Sequence, residues 1–411
     1  MSKRFFVAVA LLAAALSANA QETQFKWYGF IRNYAVADSR ESVYGTEDFF
    51  YYLPKDRKVV DGHDLNSQRT FAFAAITSRL GLDVSGYQIE GWKVGAKLEA
   101  DFYAGVSGVT GTALLRLRQA YMTLGKNAVS FKIGQAWHPM AADMPHVFSL
   151  NTGAPFGPFS RTPQATMDLK LSNELTLTAS ALWQMQYTSA GPNGASADYI
   201  KYAGTPEVYV GLGYKANGFA AKAGVDVLSI KPRHDDGYSK LSDRITTVSP
   251  FLYAEYSKGL FAVKAKTIFA QAGEHMNLNG GYGVCGFNAD GSREYTPTRN
   301  SSSWISFSYG KKAQVVLFGG YVRNFGTAKD LISEDKAYFY FSKNSFSNMN
   351  RMFRVSPEFI YNLGKVAFGL EYELTGVQYG TFGARDLRGL ATENLHWVCN
   401  HRIQLMAKYT F

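Results

Sequence analysis

Residues 402–411, RIQLMAKYTF, decide the fold class of this 411-residue sequence. Apolar and aromatic residues occupy the odd positions from Ile403 to Phe411, whereas the even positions carry mostly polar residues such as Arg402 and Lys408. Period-two alternation of this length predicts a β-strand with one apolar face and one polar face. Because the strand ends in aromatic residues, it can add to another sheet edge and anchor at a membrane interface.

The amino end of the sequence is typical of a secretory signal peptide. Lys3 and Arg4 precede an apolar run over 5–16, and Ala18, Asn19 and Ala20 form a small-residue cleavage site. The alternative is a short buried helix. We therefore expect residues 1–20 to be cleaved and residues 21–411 to form a single domain. Cleavage removes Lys3 and Arg4, so the formal net charge falls from +10 to +8.

The composition favours a chain with one surface that faces lipid and one surface that faces water. Aromatic residues make up 15% of the sequence, with 26 Tyr and 29 Phe, and there are 39 Gly. After the signal no uninterrupted apolar run reaches the roughly 18 residues of a membrane-spanning helix. Cys285 and Cys399 form neither a disulfide framework nor a zinc-binding spacing, which leaves one disulfide between loops or two free thiols.

A short turn flanked by alternating strands recurs along the chain. Each turn contains Gly, Asn or other polar residues where the backbone must reverse, and several follow a Tyr. Aromatic residues at this level suit a membrane-interface girdle. The seven fragments are VSGYQIEGWKVG, MTLGKNAVSFKIG, LKLSNELTLTA, LGYKANGFAAKAG, YAEYSKGLFAVKA, FSYGKKAQVVLF and FIYNLGKVAFGL.

Longer polar segments separate the tight turns. They lie near 38–70, 104–112, 138–162, 188–203, 231–243, 273–300, 326–349 and 379–398. Short turns on one side and long loops on the other are the pattern of outer-membrane barrels, and closure pairs every backbone group in lipid. Seven short turns alternating with eight long segments predict an all-β fold, a transmembrane antiparallel β-barrel of 16 strands.

A soluble all-β protein with one sheet face in a core is the alternative fold. Three features weigh against it: the alternation of turn lengths, the aromatic residues at the turns and the signal peptide.

Two stretches resemble a known family. LLRLRQAYMTLGKNAVSFKIGQAWHP, followed by FGPFSRTPQ, resembles the DcaP-like and related trimeric porins of Gram-negative outer membranes. That group often carries a coiled-coil stalk, whereas only a few residues precede the first strand here. The matching residues are Arg116, Arg118, Ala120, Tyr121, Gly134, Gln135, Trp137, Arg161, Pro163 and Gln164.

This resemblance implies an environment and partners. It implies residence among outer-membrane lipid and lipopolysaccharide, assembly into a homotrimer, and insertion by the barrel assembly machinery. Tyr409 and Phe411 on the final strand resemble the assembly signal of such proteins.

Alternation assigns one face of each strand to the lumen. A Lys or Arg on the lipid face costs about 2–4 kcal/mol at mid-membrane, so charged residues are expected inside. Tyr121 is expected outside with Leu115 and Leu117. Later acidic residues expected inside are Glu207, Asp226, Glu255, Glu358, Glu371 and Glu373. The predicted pore-lining set is Arg79, Lys97, Glu99, Asp101, Arg116, Arg118, Lys132, Arg161 and Asp168.

The third long segment is unusual for an outer loop. It contains Val147, Phe148, Leu150, Phe156 and Phe159 among Pro and Gly residues. We expect this third extracellular loop to fold into the barrel, which would hide these side chains and narrow the pore. The alternative is an outer loop that caps a neighbouring subunit.

These patterns favour a porin for passive diffusion of small hydrophilic solutes, with mild anion preference because rings of Arg and Lys favour anions. Basic and acidic walls facing each other would set up a field across the lumen. A channel specific for carboxylate- or phosphate-bearing solutes is an alternative, and an outer-membrane barrel enzyme is a further one, although no catalytic spacing marks it.

We expect no cofactor, no metal site and no nucleic-acid partner. The seven histidines are scattered without ligand spacing, and basic residues do not cluster as a nucleic-acid footprint. Asp61, Asp64 and Asn66 could bind calcium, but a solvated loop explains them better.

Overall fold

The computed structural model describes residues 23–411, apart from 106–108, 110–111, 334, 336, 342–347 and 382. The expected signal peptide, residues 1–20, lies outside the described residues. Sixteen barrel strands follow one another along the described chain: β1 Gln24–Asp38, β2 Thr70–Ala74 with Arg79–Ile89, β3 Trp92–Phe102, β4 Leu115–Lys126, β5 Val129–Trp137, β6 Arg161–Lys170, β7 Leu175–Leu182, β8 Glu207–Ala216, β9 Phe219–Ile230, β10 Ile245–Lys258, β11 Phe261–Gln271, β12 Arg293–Gly310, β13 Ala313–Thr327, β14 Met349–Leu363, β15 Val366–Tyr379 and β16 His396–Thr410.

The sheet closes on itself, as predicted. Strand β1 pairs with β16 in antiparallel register from Phe30↔Thr410 to Asp38↔Arg402, and with β2 on its other side. Every other barrel strand pairs antiparallel with its neighbours in sequence. The expected 16-stranded antiparallel barrel is therefore confirmed, and closure leaves the described sheet without an unpaired edge.

Tight turns join the strands at one end of the barrel, at the seven predicted places. The turn between β8 and β9 shows why: Asn217 and Gly218 have φ of +50° and +80°, the positive values that a type I′ turn requires. At the other end of the barrel, one of the long connections is shorter than predicted. Strand β12 begins at Arg293 rather than after residue 300, because its start pairs with a short strand, Gly281–Phe287, in the preceding connection.

Apolar side chains point out of the barrel. On β8, Val208, Val210 and Leu212 are 41%, 48% and 45% exposed, whereas Glu207 and Tyr209, which alternate with them, are buried. This alternation presents an apolar surface to lipid and a polar surface to the interior.

Tyr121 corrects one face assignment. A bulge interrupts the pairing of β3 with β4, since Glu99 pairs with Gln119 and the next pair is Ala100 with Leu117. The bulge shifts the alternation by one residue. Tyr121 consequently pairs with Lys97 and faces inward, and Met122 is 40% exposed instead.

Part of the first long connection is buried, although an outer loop was predicted there. Its hairpin pairs Ser42–Gly45 with Phe50–Pro54, and Phe49 and Leu53 are 1% and 0% exposed. The apolar run FFYYL explains this burial, because it would otherwise be exposed to water. The other short elements are the strands Val59–Val60, His63–Asp64, Gly281–Phe287 and Phe339–Phe341, the α-helix Asp198–Ala203 and the 3-10 helix Gly273–Met276.

None of the helices in the described part of the chain is long and apolar enough to cross a membrane. The two cysteines are free thiols, with Cys285 in the connection after β11 and Cys399 exposed on β16. Of the two readings that the sequence left open, the structure therefore shows free thiols.

Candidate functional site

Strands β2, β3 and β4 place acidic and basic side chains in one network. Asp101 lies opposite Arg116 in the strand register, and their side chains form two hydrogen bonds of 3.0 Å. Arg118 donates to Glu99 Oε1 and Asp101 Oδ2, each at 2.7 Å. Arg79 lies 3.6 Å from Glu99 Oε2. The structure thus brings together five of the predicted pore-lining residues, and pairs charges of opposite sign along one wall.

A cavity of about 350 Å³ lies beside this network. Four arginines line it, Arg32, Arg79, Arg116 and Arg118, together with Glu99 and several aromatic side chains. Counting the adjacent Asp101 with Glu99, four guanidinium groups face two carboxylates. The cavity wall therefore carries a formal surplus of two positive charges.

Aromatic rings hold the arginines in place. The Arg116 guanidinium lies 3.8 Å from the Tyr103 ring centroid, and Arg32 lies 4.8 Å from the rings of Phe30 and Tyr34. Cation–π contacts of this kind restrain the guanidinium groups.

The third long connection, residues 138–160, is bound to several strands by hydrogen bonds. Lys266 Nζ on β11 donates to the Met140 carbonyl at 2.6 Å. Tyr34 on β1 donates to the Phe148 carbonyl at 2.7 Å, and the Phe148 N–H donates to Glu358 on β14 at 3.2 Å. These partners are inward-facing side chains on distant parts of the barrel.

Apolar packing fixes the same connection. Phe148, Leu150, Phe156 and Phe159 are all buried, and Val147 is half-buried. The Phe156 ring packs edge-on against Phe318 at 6.0 Å between centroids. A Cβ at Gly320 on β13 would overlap the Phe156 ring, so this glycine provides the notch that receives it.

The acidic side chains of β14 and β15 do not line the cavity. Glu358, Glu371 and Glu373 are only 4%, 1% and 1% exposed. Glu358 accepts the Phe148 N–H, and Glu371 accepts the Ser356 hydroxyl at 2.6 Å. The protein itself covers the acidic residues that were expected to balance the basic wall.

The remaining predicted residues lie away from the cavity. Lys97 binds Asp83 at 2.5 Å, and Asp168 accepts the Thr178 hydroxyl. Lys132 contacts the Tyr121 ring at 5.5 Å from its centroid.

Arg161 is buried against the rings of Trp137 and Phe159. Its guanidinium lies 4.6 Å from the Trp137 ring and 5.3 Å from the Phe159 ring. Its Nη1 and Nη2 atoms have no hydrogen-bond partner among the described residues.

Sequence reasoning missed Arg32. This side chain lines the cavity and donates to Thr77 Oγ1 at 2.6 Å. The signal was present, since Phe30, Arg32 and Tyr34 share one face of β1 by simple alternation.

The calcium candidate has another explanation. Asp64 accepts hydrogen bonds from Arg40 at 2.7 Å and from the backbone N–H groups of Lys58 and Asn66. The Asp64 carboxylate that calcium would need is therefore already hydrogen-bonded to an arginine and to two backbone N–H groups.

There is a physical reason for the glycine at position 134, which is one of the residues that match the DcaP-like porins. Gly134 has φ of +129°, and a Cβ there would overlap the Ala120 carbonyl on β4. Only glycine suits this close approach of β5 to β4.

Comparisons with known proteins agree with this architecture. The family model described as DcaP outer membrane protein matches residues 13–156. The outer membrane channel DcaP of Acinetobacter baumannii is 21% identical in sequence and superposes with a TM-score of 0.67. The comparison covers 95% of the present chain and 97% of the DcaP chain. A search of curated proteins finds no match.

Two more distant structures share the fold. An anion-selective porin from Comamonas acidovorans is 10% identical, covers 95% of this chain and all 100% of that chain, and has a TM-score of 0.55. The trimer form of OmpT of Vibrio cholerae is 11% identical, covers 95% and 99%, and has a TM-score of 0.52. The chain therefore has the fold of the outer-membrane porins, and its resemblance to the DcaP outer membrane protein family is confirmed.

Proposed function

We propose that this protein is an outer-membrane porin that lets small hydrophilic solutes diffuse passively through its barrel, with a mild preference for anions. The observation that carries the proposal is the cavity lined by Arg32, Arg79, Arg116 and Arg118 against the single carboxylate of Glu99. Guanidinium groups along a pore lower the barrier for anions and raise it for cations.

The covered acidic residues support the same preference. Glu358, Glu371 and Glu373 are buried beneath protein, so a solute in the cavity meets the arginines rather than these carboxylates. The mature formal charge of +8 adds a weaker, long-range attraction for anions.

The third long connection is the proposed constriction. Its contacts with β1, β11 and β14 hold it against inward-facing side chains, and Val147, Phe148 and Leu150 form one side of the cavity. The buried hairpin of the first connection adds Phe50 and Tyr52 to the same side. Solutes would pass between this apolar side and the arginine wall, which is the side of the cavity lined by Arg32, Arg79, Arg116 and Arg118.

A channel specific for carboxylate or phosphate groups is the second candidate function. Arg116 is held by Asp101 and by the Tyr103 ring, and an arginine fixed in this way can offer its remaining N–H groups to a carboxylate or phosphate oxygen without further ordering. A binding site predicts saturable flux, whereas open diffusion does not saturate. The porin fold and the family resemblance favour a channel of either kind over an enzyme.

The proposal includes the route and setting of the protein. Residues 1–20 would direct export and be removed, and Tyr409 and Phe411, both 45% exposed, would be recognised by the barrel assembly machinery. The mature barrel would lie among lipid and lipopolysaccharide as a homotrimer, the form in which OmpT of Vibrio cholerae has also been solved.

Planar-bilayer recording tests this function. Refolded mature protein should give stable conductance steps in groups of three, and the reversal potential in a KCl gradient should show chloride preferred over potassium. A reversal potential that favours potassium would contradict the role of the arginine wall. No conductance would contradict the channel itself.

Flux into liposomes separates the two kinds of channel. A dicarboxylate and its uncharged diamide have nearly the same size, so they form a matched pair of solutes. Equal, non-saturating fluxes indicate passive diffusion, whereas a saturating flux of the dicarboxylate alone indicates a specific site.

A further inference from the structure

Four buried side chains that can bind metals meet outside the arginine wall. They come from four separate elements: His138 directly after β5, Glu207 at the start of β8, Asp226 on β9, and His275 in the 3-10 helix Gly273–Met276. Their exposed fractions are 1%, 0%, 1% and 2%. Because these side chains are buried, contact with water does not stabilise two carboxylates and two imidazoles at this place.

His138, Glu207 and Asp226 bring ligand atoms within 4.8 Å of one another, and His275 lies beside this group. His138 Nε2 lies 2.8 Å from Glu207 Oε1 and 3.6 Å from Asp226 Oδ1. His275 Nε2 lies 3.4 Å from Glu207 Oε1 and 3.8 Å from Asp226 Oδ2. A tetrahedral zinc ion with ligands at about 2.0–2.1 Å has ligand atoms about 3.3 Å apart, which falls within this spread.

Several polar atoms of these residues have no hydrogen-bond partner in the described part of the chain. His275 Nε2, Glu207 Oε2 and Asp226 Oδ1 are buried and have no hydrogen-bond partner among the described residues. His275 Nδ1 lies 3.1 Å from the Ala272 carbonyl, so Nδ1 carries a proton and donates it. A backbone carbonyl on Nδ1 is a common arrangement that leaves the Nε2 lone pair for a metal.

A bound cation is one way to balance the charges of these residues. Two buried carboxylates with neutral imidazoles would leave two uncompensated negative charges, which is costly in a dry interior. A divalent ion neutralises both. We propose that His138, Glu207, Asp226 and His275 form a buried zinc site.

Zinc binding would change one contact of the third long connection. The Met140 N–H donates to His138 Nδ1 at 3.2 Å, so in neutral His138 the proton is on Nε2 and is donated to Glu207. Coordination through Nε2 moves this proton to Nδ1 and removes the Met140 contact. The metal replaces it with bonds that join residue 138 to β8, β9 and the connection after β11.

The site has a structural role in this arrangement. A hydrogen bond also joins these two connections: the Phe159 N–H donates to the Met276 carbonyl at 2.9 Å. Zinc would fix the start of the third connection as this hydrogen bond fixes its end. Sequence reasoning did not find the site because the four ligands have no short spacing.

Metal content of the folded, untagged mature protein tests the proposal, since a polyhistidine tag would itself bind zinc. After treatment with a chelator, incubation with zinc and gel filtration, we expect one zinc per chain by mass spectrometry. Glu207→Gln and His275→Gln should each reduce the retained zinc at least tenfold. Exposed His63 supplies the matched control, and His63→Ala should retain the full amount.

Cobalt substitution gives a second readout that does not depend on zinc retention. Tetrahedral Co²⁺ has intense visible bands, which we expect in the wild type and in His63→Ala but not in Glu207→Gln. Zinc content near zero in folded wild type, or equal content in all variants, would overturn the proposal. The four residues would then be an ion-paired cluster with protonated imidazoles.

Discussion

Replacing Arg116 and Arg118 together by Ala is expected to abolish the anion preference of the channel. Both guanidinium groups line the cavity, and they supply two of its four positive charges. Their removal cancels the formal surplus of two charges and leaves Glu99 and Asp101 without their closest partners.

The size of the effect follows from Coulomb's law. A unit charge about 7 Å from a permeating ion interacts with it by about 0.6 kcal/mol in water, and salt at about 0.1 M roughly halves this. Each arginine acts in opposite directions on chloride and potassium, so its loss changes the permeability ratio by about threefold. Two losses should lower the chloride-to-potassium ratio by about eightfold.

The reversal potential of single channels in a KCl gradient measures this ratio directly. Arg57→Ala with Lys58→Ala is the matched control, because it removes the same charge from exposed residues of the first connection. Heat-modifiable migration on gels verifies that each variant is folded. An unchanged ratio in the Arg116 and Arg118 variant, or an equal fall in the control, would refute the assignment of selectivity to this wall.

Four further outcomes are expected. Raising the salt from about 0.1 M to about 1 M should reduce anion preference in bilayer recordings, because the Debye length falls from about 10 Å to about 3 Å. Gly134→Val should destabilise the barrel by about 1–3 kcal/mol in urea unfolding, since a side chain there has a strained φ and overlaps the Ala120 carbonyl. Phe156→Ala should cost about 3–5 kcal/mol and increase conductance, because it removes the contact with Phe318 that holds the third connection. Burial raises the pKa of the Cys285 thiol, so its reaction with maleimide should be slow at neutral pH and accelerate as rising pH forms the thiolate.

Controls separate these effects from general damage. Gly213→Ala lies on β8 with ordinary space around its Cβ position and should change the unfolding free energy little. Phe287→Ala removes a 58%-exposed ring and should leave conductance unchanged. Wild-type conductance in Phe156→Ala, or equal maleimide rates for Cys285 at neutral and alkaline pH, would contradict the corresponding reasoning.

The barrel was predictable because its signals are local. Each tight turn needs residues such as Asn217 and Gly218 that tolerate positive φ, and each strand must alternate to face lipid on one side. Counting turns therefore gives the number of strands. The buried hairpin near Phe49 was not predicted, because its burial depends on what the closed barrel encloses.

One single-residue irregularity made one face assignment wrong. The bulge beside Arg118 moves Tyr121 from the lipid face to the lumen, and no residue type marks the bulge in the sequence. The charged residues that alternation assigned to one face of these strands before the bulge do contact one another. Which charges then pair, and which are covered by the third connection, depends on contacts between residues far apart in the chain.

The pairing of β1 with β16 makes folding of this barrel a strongly non-local process. The seam joins Phe30 to Thr410, so contacts between the most distant parts of the sequence must form before β1 has partners on both sides. Closing so large a loop is slow, and a strand edge that is still unpaired can pair with other chains. The unfolded chain consequently needs protection from aggregation until residues 402–410 reach residues 30–38.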